Sequence, residues 1–285
     1  MRYVIVGFGI VCAVALMLGA ARGPRVQVIA HRGASWDAPE HTFASWDLAL
    51  ERGADWIEQD LHLTRDGRLV VVHDDTLERT ARGPAADCTG PVAEKSLAQL
   101  QRCDMGSWFN TEHPERAHAR FVGARIPTLD SVLTRYATRA KFYIETKWVD
   151  GAPPMEEALL GMLRAHRLAG PGADYARVLV QSFSVTSLER LHALDPALRL
   201  VLLIEDPIPL DSLDVVLARV ARIAVGIGPA RGLTSAHLVE RAHAARLFVH
   251  PYTVNAPATM RYMLGINVDG MFTDRPALLR GLLGP

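Results

Sequence analysis

The stretch that organises the chain is Trp56-Ile57-Glu58-Gln59-Asp60-Leu61-His62-Leu63. Its apolar and aromatic residues favour a β-strand, and the two-residue period of a strand would place Glu58 and Asp60 on one face. Seven other β-rich runs lie before and after it, with helical patterns between them. The eight predicted strands are Val26–Ala30, Trp56–Leu63, Phe142–Lys147, Arg177–Ser182, Leu198–Ile204, Ile223–Ile227, Leu247–Thr253 and Gly270–Thr273.

Strands that alternate with helices are typical of an α/β protein with a parallel sheet. Eight repeats match the usual size of a closed (β/α)8 TIM barrel, roughly 250 residues, and we predict this fold for residues 26–285. An open, doubly wound sheet is the structural alternative. Helix starts are predicted from polar capping residues followed by apolar spacing of three and four. Those starts lie after Thr42, Thr128, Ser184 and Thr234, and near Asp274.

One region interrupts the alternation of strands and helices. Leu69–His73 is an additional strand-like run, and the residues from Asp74 to Phe121 are polar and irregular. Loops of this length are uncommon in a compact domain unless they carry a function. We therefore interpret about residues 75–121 as a subdomain inserted after the second barrel strand.

The N-terminal segment and the cysteines indicate an exported protein. Residues 4–21 carry no charge and end in small residues, which predicts a signal peptide over residues 1–21 or, if it is not cleaved, a membrane anchor. Either would place the domain outside the cytoplasm, in the periplasm or the extracellular space. Cys88 and Cys103 follow this segment, and an even number in an oxidising compartment favours a disulfide between them. Two unrelated thiols are the alternative.

Polar side chains collect at the predicted carboxyl ends of the strands, where barrel enzymes place their active sites. Each residue alone fits a structural role equally well, since a single histidine or an ion-paired carboxylate is common in a barrel wall. Their joint position at strand ends is what favours a site. The set comprises His31, Arg32, Glu58, Asp60, His73, Asp74, Glu145, Lys147, Tyr252, Asn255 and Asp274.

Three of these residues predict a metal site. Glu58, Asp60 and Glu145 would converge from two strands, and like charges held close raise one another's pKa. A divalent cation between them removes that cost. Because all the ligands are oxygens, Mg²⁺ or Ca²⁺ is the expected cofactor.

The remaining residues indicate phosphoester chemistry beside the metal. His31 and His73 suit a general acid and a general base near neutral pH. Arg32 offers a planar fork and Lys147 a point charge, and both suit a phosphate. A metal that acts as a Lewis acid would complete such a site.

These motifs resemble, in order and spacing, those of the glycerophosphodiester phosphodiesterase family. The resemblance covers about residues 29–276 and implies that His31 and His73 are the acid/base pair. It also implies that the three carboxylates hold the metal and that the insertion flanks the substrate cleft. The motifs are His31-Arg32-Gly33-Ala34, Pro39-Glu40-His41-Thr42, Glu58-Gln59-Asp60, Leu63-Thr64-Arg65-Asp66-Gly67, Val72-His73-Asp74-Asp75-Thr76-Leu77, Ile126-Pro127-Thr128-Leu129, Ile144-Glu145-Thr146-Lys147, Ser182-Phe183, Thr253-Val254-Asn255 and Thr273-Asp274-Arg275-Pro276.

The resemblance further implies that Arg32, Lys147, Tyr252 and Asn255 contact the substrate. Tyr252 replaces a common Trp and still offers an aromatic wall.

Other histidines near the motifs have open roles. His41 stands where the family usually has Asn, and we expect it to pack or to form hydrogen bonds at the start of the first helix. His62 and His250 share strand faces with site residues, so each could support the cleft or belong to the barrel wall.

The expected function is metal-dependent hydrolysis of a small-molecule glycerophosphodiester to glycerol 3-phosphate and an alcohol. The alternatives are a lysophospholipase D, with an apolar groove built from Trp36, Trp108, Phe109 and Tyr252, and a catalytically inactive phosphodiester-binding protein. Balanced charge, with 31 acidic and 31 basic residues and no basic run, argues against a nucleic-acid partner. A membrane would be contacted only through an uncleaved N-terminal segment.

Overall fold

The structure, a computed structural model, describes residues 26–147 and 154–284. The predicted signal peptide or anchor, residues 1–21, lies outside the described residues. Within those that are described, no helix has the length and apolar character needed to cross a bilayer.

The described residues form one nine-stranded sheet, of which eight strands run parallel. The strands are β1 (Gln27–Ala30), β2 (Trp56–Leu63), β3 (Leu69–Val71), β4 (Phe142–Thr146), β5 (Val178–Ser182), β6 (Leu200–Ile204), β7 (Gly226–Pro229), β8 (Phe248–Val249) and β9 (Gly270–Thr273). The parallel strands follow the order β8-β7-β6-β5-β4-β2-β1-β9, and β3 pairs antiparallel with the end of β2.

Backbone hydrogen bonds bring the two outer strands of this order together. The amide of Asp269 donates to the carbonyl of Val249 at 3.0 Å, and the amide of Phe272 donates to Pro251 at 3.0 Å. The amide of Val254 in turn donates to Phe272 at 2.8 Å. The sheet is therefore a nearly closed parallel barrel, and the predicted (β/α)8 fold is confirmed.

One barrel helix follows each parallel strand. Three additional short helices lie between β3 and the helix that precedes β4. The helices are α1 (Phe43–Glu51), α2 (Ala85–Cys88), α3 (Leu97–Leu100), α4 (Ser107–Glu112), α5 (Leu129–Tyr136), α6 (Glu156–Ala165), α7 (Val185–Leu194), α8 (Leu213–Val220), α9 (Ala236–Ala244), α10 (Pro257–Gly265) and α11 (Pro276–Leu283). The barrel helices are α1 and α5 to α11.

Side-chain caps explain where four of these helices begin. The hydroxyls of Thr42, Thr128 and Ser184 each accept a hydrogen bond from the amide three residues later, as the sequence predicted. For α9 the capping residue is Ser235, so the predicted start after Thr234 was one residue early. Such caps satisfy amide groups that the first helical turn leaves unpaired.

Two barrel strands differ from their predicted bounds by more than two residues at one end. Ile223 and Ala224 were assigned to a strand, but their amides donate to the carbonyl of Val220 at 3.0 and 2.9 Å and end α8. The run Leu247–Thr253 was predicted as a long strand, whereas β8 contains only Phe248–Val249. Pro251 has no amide hydrogen to donate, so a regular ladder cannot pass through it.

The barrel strands alternate between two apolar layers. On β2, Trp56 points into the barrel and contacts Tyr143 of β4, with ring centroids 5.8 Å apart. Ile57 and Leu61 belong instead to the larger core between strands and helices. The same alternation continues along β2 to Glu58 and Asp60, which therefore lie above the apolar floor of the barrel.

Residues 74–126 connect β3 to α5 and contain α2, α3 and α4. They share a small core with Val70 of β3 and with Val72, which follows that strand, and this core is separate from the two barrel layers. Cys88 and Cys103 are paired within this core, with Cα atoms 5.5 Å apart. The interval predicted as an insertion, residues 75–121, falls inside this segment.

Candidate active site

Three buried carboxylates lie at the carboxyl ends of two neighbouring strands. Glu58 and Asp60 extend from β2, and Glu145 extends from β4, where it is the register partner of Asp60. All three are at most 5% exposed. The ammonium of Lys147 lies 3.2 Å from Asp60 Oδ1 and 2.7 Å from Glu145 Oε1. The residues predicted as metal ligands are thus brought together, and the ammonium group of Lys147 lies between two of them, Asp60 and Glu145.

The electrostatics of this cluster suit an added cation. Burial and the negative charge of Asp60 raise the pKa of Glu145 to about 8, and the same causes raise the pKa of Glu58 well above its usual value. Burial would also raise the pKa of Asp60, but Lys147 and His41 hold it well below its usual range. Several carboxylate oxygens this close together are the ligands by which proteins bind hard divalent cations such as Mg²⁺ and Ca²⁺.

His41 supports the same cluster. Its Nε2 lies 2.7 Å from Asp60 Oδ2, and ligand atoms of His41, Glu58 and Asp60 all lie within 4.8 Å of one another. The backbone of His41 has φ 52°, a left-handed conformation in which Asn and His are enriched among non-glycine residues. His41 was expected to pack or to form hydrogen bonds at the start of α1. Its side chain instead pairs with Asp60, a candidate metal ligand.

His31 lies at the end of β1 and pairs with a carboxylate from the end of β9. Its Nδ1 lies 2.6 Å from Asp274 Oδ1. Burial would raise the pKa of Asp274, but hydrogen bonds from His31, Asn255 and Ser35 hold it at about 2. The ionised Asp274 accepts from Nδ1, so Nε2 of His31 is the nitrogen left for the cleft.

Asn255 was predicted to contact substrate, and the structure gives its amide another use. Its Nδ2 donates to Asp274, and its Oδ1 accepts from the Asp274 amide at 2.9 Å and from the Thr273 hydroxyl at 3.2 Å. Asn255 does not line the cleft. It orients the carboxylate that pairs with His31.

His73 forms the second histidine–carboxylate pair. Its Nδ1 lies 2.6 Å from Asp74 Oδ1, and its carbonyl accepts a contact from His62 Nε2 at 3.2 Å. Burial, together with the positive charges of Arg32 and Lys147, lowers the pKa of His73 to about 4. His73 is therefore neutral at pH 7, and His62 supports its backbone.

Arg32 lies between the histidines and the carboxylates. Its amide donates to Glu58 Oε2 at 2.7 Å, and its Nη1 donates to Glu40 Oε1 at 3.1 Å. Its Nε lies 3.7 Å from Asp60 Oδ2. These contacts hold the guanidinium beside the carboxylate cluster, where a phosphate bound to the cleft would meet it.

A cleft of about 480 Å³ opens above these groups, a size typical of small-ligand sites. Its charged side, at the ends of β1 to β4, contains the predicted histidines, cations and carboxylates. Its other side contains residues that sequence reasoning gave no role: Gln181, Phe183, Leu203, Ala230, Arg231, Gly232, Thr253 and Phe272. Phe183 and Thr253 belong to motifs of the resemblance, and the sequence signal of the others was their position at or near the ends of the later strands. Tyr252 also lies on this side, with its ring centroid 5.8 Å from that of Phe183.

His250, which the sequence left between the cleft and the barrel wall, has a structural position. His250 is buried, stacks on Phe248 with centroids 4.2 Å apart, and lies 3.3 Å from the Tyr143 hydroxyl. Burial lowers the pKa of His250 to about 3. His250 therefore belongs to the barrel wall.

The aromatic groove considered for a lysophospholipase D does not form beside the carboxylates. Trp108 and Phe109 are buried against Phe121. Trp36 is partly exposed, with the guanidinium carbons of Arg116 and Arg275 each 4.4 Å from its ring centroid. Of the four residues proposed for that groove, Tyr252 is the one that lines the cleft.

Two histidines, each paired with a carboxylate, line one cleft of the barrel together with buried carboxylates and two basic side chains. This arrangement defines the class of metal-assisted phosphoester hydrolases. The chain belongs to the glycerophosphoryl diester phosphodiesterase family, whose model matches residues 31–278. The resemblance predicted from the motifs is thereby confirmed.

Individual relatives agree with this assignment. The chain is 41% identical over 254 residues to a glycerophosphodiester phosphodiesterase of Bacillus subtilis (strain 168), covering 89% of this chain and 85% of the relative. A glycerophosphodiester phosphodiesterase structure from Agrobacterium tumefaciens str. C58 matches with TM-score 0.68 and 30% identity, covering 89% of this chain and 98% of that one. A phosphodiesterase of Oleispira antarctica, in complex with the product sn-glycerol-3-phosphate, matches with TM-score 0.75 and 28% identity, covering 92% and 98%.

Proposed function

We propose that this protein hydrolyses glycerophosphodiesters to glycerol 3-phosphate and an alcohol, with a divalent cation as cofactor. One observation carries the proposal: the histidines of both histidine–carboxylate pairs, His31 and His73, line the same cleft as the buried carboxylates, Arg32 and Lys147. The relatives named above support the substrate class, since two are glycerophosphodiester phosphodiesterases and a third, a phosphodiesterase, was solved with the product sn-glycerol-3-phosphate.

Glu58, Asp60 and Glu145 are the residues that would hold the cation, and we propose Mg²⁺ or Ca²⁺ because every carboxylate donor is a hard oxygen. A bound cation would supply Lewis acidity toward a phosphoryl oxygen. His41 keeps Asp60 in place through its 2.7 Å contact. Lys147 and Arg32 bind the phosphoryl oxygens and balance their charge.

His73 is the general base in this proposal. Its low pKa leaves it neutral at pH 7, and Asp74 occupies Nδ1, so Nε2 is free to accept a proton. The proton comes from the nucleophile, which is a water or the neighbouring glycerol hydroxyl; attack by the hydroxyl would form a cyclic phosphate, which a water would then open to glycerol 3-phosphate. As the nucleophile attacks phosphorus, the bond from phosphorus to the departing alcohol breaks. His31 then gives its Nε2 proton to that alcohol oxygen, while Asp274 stabilises the ring through Nδ1.

The test is turnover of glycerophosphocholine, measured as glycerol 3-phosphate release. We expect EDTA to abolish activity and Mg²⁺ or Ca²⁺ to restore it. Full activity in chelator after exhaustive dialysis would contradict the metal dependence. Binding of the substrate without turnover would indicate an inactive binding protein. Faster turnover of a lysophospholipid than of glycerophosphocholine would indicate a lysophospholipase D.

We also propose that the domain acts outside the cytoplasm, in the periplasm or the extracellular space. The uncharged N-terminal run with its small-residue end supports this, as does the pairing of Cys88 with Cys103. Fusion of residues 1–30 to a reporter that is active only after export tests the proposal. A reporter that stays inactive would contradict it.

A further inference from the structure

Arg79 lies outside the barrel, in the segment after β3, and forms two bidentate ion pairs with one guanidinium. Its Nη1 and Nη2 donate to the two carboxylate oxygens of Glu40 at 2.8 and 2.7 Å. Its Nε and Nη2 donate to the two oxygens of Asp74 at 2.6 and 3.0 Å. The ring of Trp108 lies 5.8 Å from its guanidinium carbon. This geometry uses most of the donors that an Arg side chain offers.

Each of these carboxylates has a second partner inside the cleft. Asp74 Oδ1 accepts from His73 Nδ1 at 2.6 Å, and Glu40 Oε1 accepts from Arg32 Nη1 at 3.1 Å. Arg79 therefore connects the proposed base on one side to the proposed phosphate ligand on the other.

The charges around this connection are balanced. Burial would raise the pKa of both carboxyls, but Arg79, together with Arg32 at Glu40 and His73 at Asp74, holds the pKa of each at about 2, so both are ionised. Two anions thus face two cations, Arg32 and Arg79. Without Arg79, Glu40 would keep Arg32 as its partner and would draw that guanidinium further from the cleft.

We propose that Arg79 is a positioning residue for the reaction. By holding Asp74 it fixes the ring of His73 with Nε2 toward the cleft, and by occupying Glu40 it leaves Arg32 available to the phosphate. Arg79 is absent from the cleft lining and acts through these two neighbours. The inference rests on the proposed function, because the roles of His73 and Arg32 are defined there.

A merely structural ion pair offers a matched comparison. Arg241 donates from Nε and Nη2 to the two oxygens of Asp214 at 2.7 and 2.6 Å. Its side chain is 38% exposed, against 39% for Arg79, and the pair joins α9 to α8, with neither residue in the cleft lining. If Arg79 only stabilised the fold, its removal would leave kcat and KM as little changed as the removal of Arg241 does.

The experiment compares Arg79→Ala, Arg79→Lys and Arg241→Ala in the full chain, with kcat and KM for glycerophosphocholine and Tm for each. We expect Arg79→Ala to lower kcat about 10- to 100-fold, the range for residues that orient catalytic groups, and to raise KM. Arg79→Lys keeps the charge but not the fork, so it should restore KM more than kcat. Arg241→Ala should match the wild type in both constants.

Either of two results would overturn the inference: Arg79→Ala within twofold of Arg241→Ala in kcat, or full recovery of kcat in Arg79→Lys. A second readout does not depend on turnover. Long-range ¹H–¹⁵N NMR should show His73 as the Nδ1-protonated tautomer in the wild type and a mixture in Arg79→Ala. An unchanged tautomer in that variant also overturns the inference. Absence of turnover in the wild type with the expected tautomer change would reject the proposed function alone.

Discussion

Lowering the pH from 7.5 to 5.5 tests the assignment of His73 as the base. The imidazole is partly buried and faces the positive charges of Arg32 and Lys147, while Asp60 and Asp74 act in the opposite direction. Burial is the largest effect, and the balance lowers the pKa of His73 to about 4. A base must be neutral to accept a proton, so this shift decides how far activity extends into acid.

The two cases differ by about tenfold at pH 5.5. A histidine with an ordinary pKa of about 6.5 would be about 90% protonated there, and about one tenth of the enzyme would remain competent. With a pKa of about 4, only about 3% of His73 would be protonated, and activity would be nearly unchanged. Activity should be lost only as the pH falls through about 4.

The measurement is kcat/KM between pH 4 and pH 8 at saturating metal, because this constant reports the ionisation of the free enzyme. Metal content is measured at each pH so that loss of the cation is not mistaken for protonation of the base. We expect no loss assignable to His73 between pH 7.5 and 5.5. The reasoning would be refuted if kcat/KM of the wild type fell with a midpoint near pH 6.5 and the residual activity of His73→Ala showed no such fall.

Three further predictions concern the metal, the cysteines and the barrel wall. Glu145→Ala should lose metal affinity first, whereas His31→Ala should keep its metal and lose about 10²- to 10⁴-fold in kcat, as metal titration and steady-state kinetics will show. Protein matured in an oxidising compartment should show no free thiol at Cys88 or Cys103 when denatured, and two titratable thiols would contradict the pairing. The pKa of His250, about 3, lies below its unfolded value, so the unfolded state binds the proton first and stability falls as the pH drops below about 6.5. That loss, about 1.4 kcal/mol per pH unit, should be smaller in His250→Gln, as denaturant unfolding at pH 6.5 and pH 4 will measure, and equal slopes would exclude His250 as its source.

Local physical rules account for what could be predicted of the fold. The period of two along β2 places Glu58 and Asp60 on the same face, whatever the rest of the chain does. Capping hydroxyls marked the starts of α1, α5 and α7, because they bond to amides only three residues away. By contrast, α6, α8 and α10 have no side-chain hydrogen bond from a capping residue, and their starts were not predicted from the sequence.

The sequence by itself determined which residue types stand at the strand ends, and with them the class of chemistry. Which partners those residues have was decided only by the tertiary structure. His31 and Asp274 are 243 residues apart, and Glu40 and Arg79 are 39 apart, so no local pattern relates them. Parallel pairing of β1 with β9 brings the ends of these two strands side by side and thereby forms the His31 pair. The tertiary structure also decides which groups are buried, because burial depends on the side chains that the folded chain packs around each group. Burial lowers the pKa of His73 and raises that of Glu145.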